Sequence, residues 1–303
     1  MAKAGRFFLC IRFTFLKLNL SVPCDVHVFI SFSLLRYFFH IAYHGTNYCG
    51  WQKHPGMHTV QEVLEIALGK LLKATVNING CGRTDAQVHA AQFFFHADVE
   101  QNLDDEFFFR LNKILPDDIA IFEIIPMQGL PHARFDAVQR TYDYFIHTYK
   151  DPFFSGFSSL YLNSNLNLDK MKVAVALLPL YNDYRGFCKM PDRQESTICT
   201  ISSAGLFANL KGDKIRFEIS ANRFLSKMVR IIIGRLLEIG DGKMSVDEFE
   251  HYLINKETPK IIIPAYPQGL YLSKVTYPYL NLPPATTFTA MLQHSVDGDW
   301  LAV

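Results

Sequence analysis

Apolar positions along this chain alternate between short, nearly unbroken runs and stretches with helical spacing. YFFHIAYHG (37–45), rich in aromatic and β-branched residues and closed by glycine, predicts a strand running into a turn. Thr59 stands three residues before Glu62 in a capping-box pattern, and Val60, Leu64, Ala67, Leu68 and Leu71 then share one face, which predicts a helix. Further on, TVNING (75–80) and QFFFHADVE (92–100) predict strands, residues 105–115 a helix that stops before Pro116, and IAIFEII (119–125) another strand.

A second unit opens with RTYDYFIHTY (140–149), where Arg140, Tyr142, Tyr144 and Ile146 fall on one face and Asp143 and His147 on the other. The spacing predicts a helix over 168–178, strands over 197–208 and 214–220, a long helix over 223–239, a short helix over 245–254 and a last strand, GLYLSKVTY. Helices and strands are mixed rather than strictly alternating, so the fold class is α+β, an antiparallel sheet covered by helices. The organisation expected is a leader (1–35), an N-terminal α+β domain (36–138), a C-terminal α+β domain (139–280) and a tail (281–303). The leader is rich in Phe, Leu and Val, but Arg12, Lys17 and Asp25 leave no uncharged run near the ~20 residues a membrane span needs. Arg12 also sits inside the would-be apolar core of a signal peptide, so a gene-start artefact or a poorly ordered extension is expected.

Composition narrows the chemistry. With 303 residues the chain can bury a large core without disulfides. Its six cysteines form no CxxC pair, which fits reduced thiols and a cytoplasmic protein. His40 and His44, and likewise His54 and His58, are four apart with no third ligand near them, so no metal site is expected. A net charge of +1 offers no global attraction for a polyanion, and any such site has to be local.

Three stretches carry candidate chemistry. In GCGRTDAQVHA (80–90) a lone carboxylate, Asp85, lies among small residues. Asp suits a turn for its own sake. Arg83 two residues away would favour the ionised form, Thr84 would orient it, and the small neighbours leave room for a ligand, so Asp85 also suits a nucleophile. No partner carboxylate motif for a glycosidase and no carboxylate cluster for two metals accompanies it. Arg223, Lys227 and Arg230 fall at i, i+4 and i+7 of the long helix expected over 223–239, either as a solvated face or as phosphate contacts and a counter-charge for Asp85. Tyr142 and Tyr144, behind Arg134 and Arg140, suit either a core or the stacking of unpaired bases.

Together these stretches resemble the TruA-type tRNA pseudouridine synthases over roughly residues 36–280. The resemblance rests on AYHGTNYCGWQ, TVQEVLEIAL, GRTDAQVHA, ARFDAVQRTYDYFI, NDYRGFCK, ANRFLSKMVRIIIGRLLEIGDG and PAYPQGLYLSKVTY, in that order. It implies that Asp85 is the catalytic aspartate, Arg83 the arginine beside it, Tyr142 the tyrosine that contacts the uracil, and Arg230 the arginine paired with the aspartate. It further implies two similar domains with mainly antiparallel sheets joined across a central cleft, helices covering one face, with Arg223, Lys227 and Arg230 lining that cleft. The partners implied are tRNA and a second copy in a homodimer, with no metal and no cofactor. The reaction implied is isomerisation of a flipped-out uridine at positions 38 to 40 of the anticodon arm. Gln87 stands where that family has glycine, and an ordinary backbone conformation is expected there.

Overall fold

In the computed structural model, which describes residues 34–162, 165–259, 261–286 and 301–302, the apolar runs become strands of one sheet. The leader expected over 1–35 lies outside the described residues up to residue 33. In chain order the elements are β1 (Leu35–Tyr43), α1 (Val60–Leu72), β2 (Ile78–Gly80), β3 (His89–Val99), α2 (Asp105–Ile114), β4 (Ile119–Met127) and β5 (Gln139–His147). There follow β6 (Ser159–Leu160), α3 (Leu168–Leu177), β7 (Ile201–Ala208), β8 (Lys214–Ala221), α4 (Met228–Gly240), α5 (Val246–Asn255), β9 (Leu270–Thr276) and β10 (Leu301–Ala302).

The ten-stranded sheet runs β10-β7-β8-β5-β9-β3-β1-β4, with β2 beside β3 and β6 beside β5. It is antiparallel apart from β5 with β6 and a two-residue parallel seam in which His89 faces Tyr271 and Ala90 faces Leu272. Strand β3 is buried along nearly its whole length, which is why Phe93, Phe94 and Phe95 run without a polar break: both faces are covered. Each such phenylalanine contributes roughly 1.5–3 kcal/mol on leaving water.

Two apolar clusters divide along the sheet. One joins α1 and α2 to β1 and β3, and the other joins α3, α4 and α5 to β5, β7 and β8. Strand β9, although late in the chain, gives Leu272 and Val275 to the first cluster and Leu270 to the second. Helix caps follow the local signals: the Thr59 hydroxyl accepts from the Glu62 amide, and Ser245 with Glu248 forms a full capping box. No helix among the described residues is long and apolar enough to cross a membrane.

Three expectations change. TVNING pairs only from Ile78, and the strand expected from 197 starts at Ile201. The long helix expected from residue 223 starts at Met228. Its first turn is forestalled because the Ser226 carbonyl accepts from the Lys189 amide, Asn222 is bonded to Thr200, and Lys227 sits at φ 58, outside the right-handed helix. Arg223 and Lys227 are therefore not on one helical stripe with Arg230. The tail is not wholly free of structure either, since Leu301 and Ala302 pair with Ala208 and Phe207.

Candidate active site

Residues 81–88 bridge β2 and β3, and the backbone of this loop is fixed from several sides. The Trp51 amide donates to the Thr84 carbonyl (3.3 Å), the Gln87 amide to Tyr48 (3.1 Å), and the Val88 amide closes a turn on the Asp85 carbonyl (3.2 Å). Gly50, at φ 91, lies against the loop so closely that a Cβ there would strike the Thr84 carbonyl. Thr84 does not orient Asp85; its hydroxyl bonds instead to buried Tyr43 (2.9 Å). Arg140 donates to the carbonyls of Cys81, Arg134, Ala137 and Asn222, so its guanidinium is a brace beneath the loop rather than a phosphate contact.

The loop's far end is anchored through His89. The Gly45 amide donates to Nδ1 (3.0 Å), which leaves the ring proton on Nε2, within 3.0 Å of the Gln268 carbonyl. Burial, aided by neighbouring His44, pushes the His89 pKa down to about 3, so the ring is neutral and can both accept and donate.

Asp85 receives its partner from the other half of the chain. Arg230, in the first turn of α4, donates Nη1 to Asp85 Oδ2 at 2.8 Å and Nε to the Ala265 carbonyl at 2.8 Å, while the Ala265 amide returns to the Arg230 carbonyl. Gly234, one turn further on, is what lets the 263–265 segment lie on the helix, since a Cβ there would strike the Ile263 carbonyl. The guanidinium is thus braced before it meets the carboxylate. Side-chain exposure is 12% for Arg230 and 35% for Asp85, so the charge is paired on one side and open on the other.

A pocket of about 60 Å³ surrounds the pair, lined by Arg83, Thr84, Asp85, Tyr142, Phe224, Lys227 and Arg230 among others. Asp85 is the acidic side chain of that lining. Tyr142 meets Phe224 edge-on at 5.0 Å, and burial raises its hydroxyl above the ordinary tyrosine range. Lys227 has its pKa lowered, first by burial and further by Lys189 and Arg230, with Asp85 opposing. A larger hollow of about 580 Å³ shares no lining residue with this pocket; its walls are mostly apolar, with Asp117, Asp118, His44 and His89 among them, and it contains no arginine or lysine to pair with a carboxylate.

Of the six residues to which the resemblance gives a place, five, Arg83, Asp85, Tyr142, Lys227 and Arg230, therefore meet at one pocket. Arg223 stands outside the lining, close enough to Arg134 to perturb it. Gln87 does not take the ordinary conformation expected: it sits at φ 64, the left-handed region that favours glycine. Phe224, Lys189 and His89 were not singled out, although all three lie inside the stretches that carried the resemblance.

Comparison with known proteins agrees with this geometry. The family described as tRNA pseudouridine synthase matches residues 40–136 and 181–278, which include Asp85 and Arg230. The chain is similar to tRNA pseudouridine synthase A of Porphyromonas gingivalis, at 38% identity over 248 residues, covering 81% of this chain and 98% of that one. It is also similar to the proteins of the same name from Azobacteroides pseudotrichonymphae (41% over 247 residues, 80% and 97% covered) and Staphylococcus epidermidis (32% over 244 residues, 80% and 90% covered). With the match spanning both halves that build the pocket, the chain belongs to the tRNA pseudouridine synthase family, a family of isomerases.

Proposed function

We propose that this chain converts uridine to pseudouridine in the anticodon arm of tRNA, at positions 38 to 40, with Asp85 as nucleophile. The observation that carries the reading is the Asp85–Arg230 ion pair, a braced guanidinium on one carboxylate oxygen with the carboxylate still partly open. In the reaction the N1–C1′ bond breaks, the base turns while held, and C5 joins C1′; C5 loses its proton and N1 gains one. One carboxylate suffices for this, and the pocket's acidic lining offers one.

A uridine in a stacked stem is out of reach, so the target base leaves the stack at a cost of a few kcal/mol, offset in part by packing on Tyr142. A space of about 60 Å³ is small beside the ~300–1000 Å³ of ordinary ligand pockets, so Phe224, which rests edge-on against Tyr142, gives way as the base enters. Arg83 at the mouth and Lys227 beside it supply positive charge for the flanking phosphates. On this reading 36–138 and 139–280 are two α+β domains facing each other across this cleft, with β9 packing on both apolar clusters, and the active protein is a cytoplasmic homodimer.

Tritium release from tRNA labelled at uridine C5 tests the reading. The unaltered chain is expected to release tritium and Asp85→Asn to fall to background while holding tRNA within a few fold of the original affinity. Turnover retained in Asp85→Asn would remove the nucleophile assignment. Free uracil among the products would point to a glycosidase, and tRNA binding without any release to an idle binding protein.

A further inference from the structure

Beside the loop that carries Asp85, a large aromatic side chain stands largely in solvent. Phe135 is 75% exposed, yet the turn that bears it is firmly held. The His132 amide donates to Asp136 Oδ2 (2.9 Å), the Ala133 amide to His96 Nδ1 (3.1 Å), and Tyr277 donates its hydroxyl to the Ala133 carbonyl (2.6 Å). The turn is also tied to the catalytic loop: Arg140 Nη2 bridges the carbonyls of Arg134 and Cys81, each at 2.7 Å. Around the ring, His132 lies at 4.3 Å between centroids and the Arg134 guanidinium at 5.8 Å. Arg134 has its pKa lowered by burial and then by Arg83, Arg140 and Arg223, so these cations crowd one rim of the molecule. Asp136 is turned the other way, its carboxylate accepting from the His132 amide and the Tyr279 hydroxyl, while none of Arg83, Arg140 and Arg223 is bonded to it.

An ordered, exposed aromatic ring set among arginines is the arrangement that grips an unpaired nucleotide, stacking on the base while cations meet the phosphates. The cations alone would also suit an acidic protein surface; the exposed, firmly held ring standing singly among them is what favours a nucleotide base. Resting on the reading of the chain as a tRNA-modifying enzyme, we infer that Phe135, with Arg134 and His132, forms a stacking platform for an RNA base near the target uridine, outside the catalytic pocket. Phe135 is a positioning residue: it touches no reacting atom and acts by fixing the strand that enters the pocket.

Equilibrium binding of unmodified tRNA transcript, together with steady-state turnover, tests this. Phe135→Ala is expected to weaken binding roughly 5- to 100-fold, the range that stacking of one base supports, and to raise KM with kcat changed much less. Phe135→Leu, which keeps the bulk and loses the ring, should behave like alanine, whereas Phe135→Trp should restore binding and have its fluorescence quenched as tRNA is added. The side chain is exposed, so all three variants are expected to melt as the unaltered protein does. Unchanged tRNA affinity in Phe135→Ala, or a changed oligomeric state with affinity intact, would overturn the platform while leaving the catalytic reading standing. Failure of the unaltered chain to bind tRNA would overturn both.

Discussion

Gln87 occupies backbone at φ 64 two residues after Asp85, a conformation that an ordinary L-residue adopts at a cost of roughly 1–2 kcal/mol. Its amide is bonded to the Tyr48 carbonyl, so the surrounding loop holds it there. Glycine at this position would remove the steric cost and lose some conformational entropy. Gln87→Gly is therefore expected to stabilise the protein by about 1 kcal/mol, a rise of about 2 °C in Tm by calorimetry, and no gain would mean that the conformation carries no penalty. Asp85 and Arg230, 145 positions apart in sequence, show the opposite limit of what a single residue reveals. Asp85 is legible from its small neighbours and its pairing with Arg230 from the resemblance, whereas Ala265 and Gly234, which brace Arg230 for that meeting, carry no chemical signature of their own.

At the level of elements, α4 presents Arg230 only because the 263–265 segment crosses it at Gly234. Gly234→Ala pushes that segment off the helix, so Arg230 loses its Nε bond and its aim on Asp85. Turnover is expected to fall at least tenfold and stability by about 1–3 kcal/mol, read by tritium release and urea melts. Full activity with normal stability would show that the crossing is not needed. Most strands and helices were legible because burial on one or both faces sets their periodicity, as in the Phe93–Phe95 run. The start of α4 was not. Apolar spacing continues through Phe224 and Leu225 as a helix would have it, and what stops the helix there is hydrogen bonding to Lys189 and Thr200, distant in sequence and invisible to local pattern. Thr84 departs from the orienting role expected of it, and the local pattern leaves Arg140 open, for the same reason: each finds its partners in other elements.

Among the described residues, five buried or half-buried histidines, His40, His89, His96, His132 and His147, have pKa values lowered, in each case first by burial. The unfolded chain takes up protons at its histidines near pH 6.5 while the folded chain resists, His96 down to about 4 and His89 to about 3. The unfolded state therefore binds more protons below pH 6.5, and stability is full above that value and lost as pH falls towards 3. His89 contributes a slope of up to about 1.4 kcal/mol per pH unit between pH 6.5 and 3, and the others act in the same direction. His89→Gln keeps an acceptor and a donor but does not titrate, so urea melts between pH 5 and 7 should show a shallower slope than the unaltered protein; an identical slope would exclude His89 from the effect. The seam that His89 spans has one more consequence. Strand β9 fills the middle of the sheet between β5 and β3, yet it is translated after every helix described here. A nascent chain on the ribosome thus carries its carboxylate loop long before the strip that closes the sheet beside it, and the sheet cannot close around that loop until β9 has been made.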